Sequence, residues 1–536
     1  MYGEKIRKNP QWKVKEMQET IRKELEIEFP RIKCSRVRQA ALAGVIETLK
    51  DHYARVWDFG FEILKNNPGN RVDISTNRIT DDSQNKFQRI YICYHALKEG
   101  WKLGCRPILG IDGCFQKTVC GGQLLSVVGR DGNNQMYPVA YAVVESESTE
   151  SWRWFLGLLR EDLILGNGVG LTVISDQQKG LENAMKEYLP HAEHRLCTRH
   201  LYNNMRKKWP TGLVKNYFWM AACATYPAGY QKAMKALQRH SKSAYEHLSK
   251  LDPKSWSKAF FQNKCDADNV ENNMSECFNS WIVNERYMPV LTMLQELHFK
   301  IMRRIRTNRE AMQHAGIVIC PRIKGNLDIS VKNSRKWHAS WDGDKKYMVK
   351  FGTKAVTVNL EDRTCDCRAW DLTGIPCSHD VAAIHDRRHQ PIMYVSKYYT
   401  KEMYMKSYNQ TLQALRGEDF WEMTDKAVML PPDIPKKLRG RPKRLRRREH
   451  WEGGSQSKST EGVPGLQKLT SGKKMHCSLC RQAGHKKPKC PQNQQNRGEM
   501  KLKNKMKVVK VVKVAKRKEN LNRDRDKRRG LGLSCQ

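Results

Sequence analysis

No apolar run in this chain approaches the roughly 18 residues a helix needs to cross a bilayer, so no membrane span is expected. The first residues are polar and charged, without the apolar stretch of a secretory signal. Acidic residues are also scarce. Against 97 Lys and Arg there are 56 Asp and Glu, a formal net charge of +41, with a pI near 9.7. A solvated surface accounts poorly for so large a surplus, which instead points to a polyanionic partner, nucleic acid above all. Seventeen cysteines in 536 residues, with no sign of export, read as reduced thiols and zinc sites rather than a disulfide scaffold. The length predicts two to four structural units.

The strongest strand signals lie between Pro107 and Asp176. Residues 108–111 form a short apolar strand that ends on Asp112. Residues 123–128 and 137–144 read as two further strands, joined by Asp131-Gly132-Asn133-Asn134, which tolerate the positive φ of a hairpin turn. Residues 151–159 predict an amphipathic helix capped by a serine, and residues 171–175 a returning strand that ends on Asp176. Three antiparallel strands, a helix and a returning strand follow the order of a ribonuclease H-like fold. Two acids at the ends of buried strands could share one metal site, and a third would come from a later helix. The candidate is Glu276, which lies off the apolar stripe of Met274, Phe278 and Trp281.

Three segments carry a specific resemblance: Gly104-Cys105-Arg106-Pro107-Ile108-Leu109-Gly110-Ile111-Asp112-Gly113-Cys114, Ser175-Asp176-Gln177-Gln178-Lys179-Gly180-Leu181 and Asn272-Asn273-Met274-Ser275-Glu276-Cys277-Phe278-Asn279. They are similar to plant Mutator-like transposases, and the likeness extends over most of the chain. It implies that Asp112, Asp176 and Glu276 are a DDE triad. It also implies that the C-x2-H pair Cys197 and His200 has an organising role beside the catalytic core. From the residues alone, that pair reads as a packed cysteine and a hydrogen-bonded histidine rather than a zinc pair, since no two further zinc ligands stand nearby. The acids are 64 and then 100 residues apart. The second gap is long for a minimal ribonuclease H fold, and residues 203–264, helical in pattern, read as an insertion.

At the start of the chain, Trp12, Val14, Met17, Ile21 and Leu25 form a helical stripe, Phe29-Pro30 breaks it, and Ser35 is placed to cap a second helix. The pair reads either as a helix-turn-helix, with Arg36 and Arg38 toward DNA, or as an ordinary helical hairpin. The resemblance implies DNA binding here, and relatives carry a longer N-terminal region than this chain shows. Residues 287–309 continue as a basic helix with Lys300, Arg303 and Arg304 on one expected cationic face, and short strands are expected beyond Pro321.

Cys365, Cys367, Cys377 and His379 make C-x-C-x9-C-x-H, four ligands suited to a closed tetrahedral Zn²⁺ site, in a spacing that resembles a SWIM zinc finger. From residue 431 onward the composition changes, with 32 Lys and Arg against 8 acids, or +24 of the total charge. There Arg439-Gly440-Arg441-Pro442-Lys443 resembles an AT-hook for the minor groove, and the same run suits a nuclear-import signal. Cys477, Cys480, His485 and Cys490 give the C-x2-C-x4-H-x4-C spacing of a zinc knuckle. It has no aromatic residue to stack on a base, which favours phosphate or protein contact over base reading.

The expectation is therefore an α+β multidomain chain: a helical region at 1–70, a ribonuclease H-like core at 101–310 and a SWIM zinc domain at 340–400. A basic linker at 431–475, a knuckle at 476–492 and a disordered basic tail at 493–536 complete it. The implied function is a nuclear DNA transposase that cuts and transfers strands with Mg²⁺ or Mn²⁺. Zn²⁺ would fill two structural sites, and the partners would be terminal inverted repeats or regulatory DNA, RNA through the knuckle, and a second copy of the chain. Two other readings stand beside it: a domesticated transposase that regulates transcription without cutting, and a zinc-dependent RNA-binding or protein-interaction scaffold.

Overall fold

The computed structural model describes Tyr2 and residues 12–25, 29–77 and 85–433. At its centre is a seven-stranded sheet in the order β1-β2-β5-β4-β3-β6-β7. The strands are β1 (Arg71–Asn77), β2 (Lys86–Cys93), β3 (Ile108–Phe115), β4 (Gln123–Arg130), β5 (Met136–Val144), β6 (Thr172–Ser175) and β7 (Glu193–Leu196). Strands β1 to β5 pair antiparallel, whereas β6 runs parallel to β3 and β7 parallel to β6. Strand β4 is buried along almost its whole length, because elements cover both faces of the sheet; its continuous apolar run reflects that two-sided burial.

The helix Thr149–Leu163 carries the chain from β5 back to β6. Its cap is Ser148, whose side chain accepts from Ser151 N while the Ser151 hydroxyl accepts from Ser148 N, so two backbone donors at the helix start are satisfied reciprocally. The helix Asn273–Trp281 packs across β3, β4 and β5. Between them, the helices Gly212–Cys223, Pro227–His240 and Lys242–Ser249 enclose a separate apolar core around Phe218, Leu237 and Trp256. Phe218 and Trp256 stack face to face, with ring centroids 5.6 Å apart. These helices lie within residues 203–264, between the second and third acids, where the sequence is helical in pattern.

Four local expectations need correcting. Strand β3 does not stop at Asp112 but runs on to Phe115, because Gly113 to Phe115 keep pairing with β4. The second helix spans Arg31–Ala54, starting directly after Pro30 rather than at a Ser35 cap. Pro321 opens the helix Pro321–Ser334 instead of ending helical structure, since a proline at the first helical position sacrifices no hydrogen bond. Finally, Lys300 and Arg304 do not project a free cationic face from the helix Val290–Gln313. Lys300 pairs with Glu285 at 2.7 Å, Arg304 donates to Met136 O at 2.7 Å, and both cations lie over the Trp281 ring.

A second sheet, in the order β11-β10-β9-β8, comprises β8 (His338–Trp341), β9 (Lys346–Phe351), β10 (Lys354–Asn359) and β11 (Thr364–Cys365). The helix Ser378–Asp386 packs on it over a small core of Tyr347, Val349, Val358, Trp370 and Ile384. Among the described residues no helix is long and apolar enough to cross a membrane.

Candidate active site and zinc centre

Parallel pairing sets two of the three acids side by side. Gly110 of β3 is in register with Ile174 of β6. Two residues further along both strands come Asp112 and Asp176, so the register carries them to the same level on adjacent strands. Strand β7 extends the row, since Ser175 pairs with Leu196 and Cys197 N donates to Ser175 O at 2.6 Å.

Asp112 is fixed at both oxygens. Its Oδ1 accepts from the Gly113 amide at 3.0 Å and its Oδ2 from Asn279 Nδ2 at 2.7 Å. Burial, and then the neighbouring charge of Asp176, push the Asp112 carboxyl up to about 7. Asp176 is raised as well, by burial, with His200 acting in the opposite sense. Glu147, which the sequence did not point to, is a further acid in this recess. Burial and the Asp176 charge lift it to about 7, and its carboxylate lies against Gly113, where an added Cβ would come within 3.1 Å of it. Its only local signal is its place between the end of β5 and the Ser148 cap. Among the described residues no lysine or arginine pairs with Asp112 or Asp176. Adjacent carboxylates without a protein cation form a hard-oxygen donor set of the kind that suits Mg²⁺ or Mn²⁺.

Glu276 is held differently. It sits in the first turn of the helix Asn273–Trp281, where its Oε2 accepts from Arg199 Nη1 at 2.5 Å. The same guanidinium reaches Glu271 at 2.7 Å and Asn273 Oδ1 at 3.2 Å. The helix is anchored to β3 through Asn272, whose side chain donates to Ile111 O at 3.0 Å and whose backbone N–H donates to Cys197 Sγ at 3.3 Å. Cys197 is therefore a packed, buried thiol that accepts from the start of this helix. His200 lies within electrostatic reach of Asp112 and Asp176, with Nδ1 buried and unpartnered.

Gly110 explains how the helix lies so close to the strand. A Cβ there would meet Met274 Cγ at 2.7 Å and Ser275 Oγ at 2.8 Å. Gly110→Ala is expected to cost about 1–3 kcal/mol by overpacking, read as a lower denaturant midpoint with an unchanged slope. An unchanged midpoint would mean that the helix can move away freely.

The zinc ligands form a compact group. Cys365, Cys367, Cys377 and His379 offer atoms that all lie within 4.8 Å of one another, the one such cluster among the described residues. Cys367 Sγ to Cys377 Sγ is 3.5 Å and Cys377 Sγ to Cys365 Sγ 3.9 Å, while His379 Nδ1 lies 3.6 Å from Cys365 Sγ and 3.2 Å from Cys377 Sγ. The edges of a tetrahedral zinc site are about 3.8 Å between sulfurs and about 3.6 Å from sulfur to nitrogen. The donor set thus fits Zn²⁺ in both kind and spacing. The model of the MULE transposase domain matches residues 108–204 and that of the SWIM zinc finger residues 356–387.

The chain carries a MULE transposase domain and a SWIM zinc finger. This pairing is consistent with a Mutator-like transposase. The MULE match includes Asp112, Asp176, Cys197 and His200 and ends before Glu276; the SWIM match includes all four zinc ligands. No curated protein matches the chain. Of the remaining expected site residues, Arg36 is exposed, and Arg38 donates to Trp12 O at 2.9 Å. Arg439, Gly440, Arg441, Pro442 and Lys443 of the AT-hook-like run lie outside the described residues, as do the knuckle residues Cys477, Cys480, His485 and Cys490.

Proposed function

We propose that this chain is a DNA transposase with a ribonuclease H-like core, in which Asp112, Asp176 and Glu276 hold divalent metal ions. The observation that carries this reading is the shared register of Asp112 and Asp176 on parallel strands. It supports a common metal site because a bound cation would relieve two neighbouring carboxylates that burial and mutual repulsion keep from ionising together. The strand order β5-β4-β3-β6-β7, with β6 and β7 parallel to β3, supports the ribonuclease H-like assignment. When bound, Mg²⁺ or Mn²⁺ would supply activation of a water or 3′-hydroxyl and stabilisation of the leaving oxygen. The protein's part is positioning. Asn279 and the Gly113 amide fix the two oxygens of Asp112, Asn272 ties the third acid's helix to β3, and Arg199 sets the orientation of Glu276.

The Arg199–Glu276 pair also favours a second reading, a nuclear DNA-binding regulator that does not cut, since in this arrangement the third acid is neutralised by a protein cation. Both readings use DNA as partner and the basic C-terminal segment for import and phosphate contact. Nicking of a labelled terminal-repeat duplex in Mg²⁺, measured beside a binding titration, separates them. Transposition predicts cutting that Glu276→Gln removes while binding persists. Binding without cutting, in Mg²⁺ and in Mn²⁺, would establish the regulator instead.

A further inference from the structure

Arg368 follows the zinc ligand Cys367 directly, and its side chain leaves the finger. Its backbone is left-handed, with φ of 56°, and its N–H donates to Cys365 O at 2.6 Å, so the turn of the zinc site fixes where the side chain starts. From there the guanidinium reaches into residues 203–264. Nη1 donates to Thr225 O at 3.2 Å, to Lys258 O at 3.4 Å and to Ala259 O, and Nη2 donates to Phe261 O at 2.8 Å. Four carbonyls on one planar fork is a use that the compact ammonium of lysine cannot reproduce. Leu372, in the helix that Arg368 opens, adds an apolar contact with Phe261 and Val270.

The clamped segment leads to the acid site. Beyond Phe261, the Gln262 and Ala267 carbonyls are held by Arg195, whose guanidinium also lies 4.1 Å from the Phe261 ring centroid. Val270 O accepts from both the N–H and the hydroxyl of Thr198. Asn272 and the helix with Glu276 follow at once. Residues 257–272 are thus gripped by the zinc finger on one side and by the MULE domain on the other, and they end at the third acid.

We infer that the SWIM finger acts on the carboxylate site from a distance, with zinc holding the Cys365–Arg368 turn so that Arg368 fixes the segment that delivers Glu276. Arg368 is then a positioning residue. The inference reaches beyond the proposed transposase chemistry, although one arm of its test uses that chemistry.

The test uses full-length zinc-loaded protein with Arg368→Ala and Arg368→Lys. Zinc per chain, amide exchange across residues 257–281, and the kcat and KM of Mg²⁺-dependent nicking are measured for each. Zinc content should equal that of wild type, while exchange at 257–281 should quicken about tenfold or more, as expected when several charge-assisted hydrogen bonds are lost. Arg368→Lys should behave like Arg368→Ala. The kcat should fall with KM for duplex unchanged, and stripping zinc from wild type should reproduce the exchange pattern. Wild-type exchange in the zinc-bound variants would overturn the inference. So would loss of zinc in both, because Arg368 would then serve the finger's own fold. If wild type proves not to cut, the exchange arm still decides, and only the transposase reading fails.

Discussion

Asp112→Asn should abolish metal-dependent cutting and at the same time make the metal-free protein more stable. The two effects share one cause. Asp112 is recessed beside Asp176, and burial together with that neighbouring charge makes its ionised form costly, as its displacement to about 7 shows. An amide of nearly equal volume removes the cost. The surroundings can accept it: Asn279 donates to Asp112 through Nδ2 and leaves its own Oδ1 buried without a partner. A flipped Asn279 would accept from the new amide, and the Gly113 N–H would keep its oxygen. The Tm should therefore rise by a few degrees in chelator. Cutting should fall by on the order of 10³-fold or more, since losing even one preorganised stabiliser of the transition state costs about that much. Duplex binding should change little. Undiminished cutting would remove Asp112 from the chemistry. Lost cutting with a lowered Tm would mean that the substitution had only damaged the fold.

The sequence revealed this pair of acids through strand-like runs that end on aspartates, but not through their register. Apolar runs with turn residues between them identify strands locally, whereas pairing depends on contacts that span the 64 residues from Asp112 to Asp176. The same limit explains other differences. Strand β3 outruns its apolar stretch because β4 keeps pairing with Gly113, Cys114 and Phe115, a short stretch with no run of its own. Lys300 and Arg304 have helical spacing that suggests an open cationic face, yet Glu285 and Trp281 draw them inward. Glu147 joins the acids because the loop before Ser148 lies against Gly113, which no spacing rule reports. The candidate zinc site stood out because four soft and borderline donors within 15 residues leave few other uses for them. Arg368 stands among those ligands and did not, since its carbonyl partners lie more than a hundred residues upstream.

Removing zinc should unfold the finger while leaving the large sheet intact. The finger's own apolar core is small, built on Tyr347, Val349, Val358, Leu360, Trp370 and Ile384. Its ligands come from two separate elements: Cys365 and Cys367 at and beyond the end of β11, Cys377 and His379 at the start of the helix Ser378–Asp386. That helix start is itself built on the ligands, since Cys377 Sγ accepts from His379 N and Asp380 Oδ2 accepts from Cys377 N at 2.7 Å. Structural zinc contributes on the order of 10 kcal/mol to such small modules, more than a core of this size provides. Cys365→Ser in the full-length chain should therefore lose one zinc equivalent and expose residues 342–376 to protease. The central sheet should keep its resistance, because its core around Trp152, Phe155 and Leu125 is built mainly on its own strands and covering helices, with Ile375 and Val381 of the finger reaching it. Equal resistance of 342–376 with and without zinc would show that apolar packing alone holds the finger. Loss of the central sheet as well would show that the grip of the finger on residues 257–272 is needed for both.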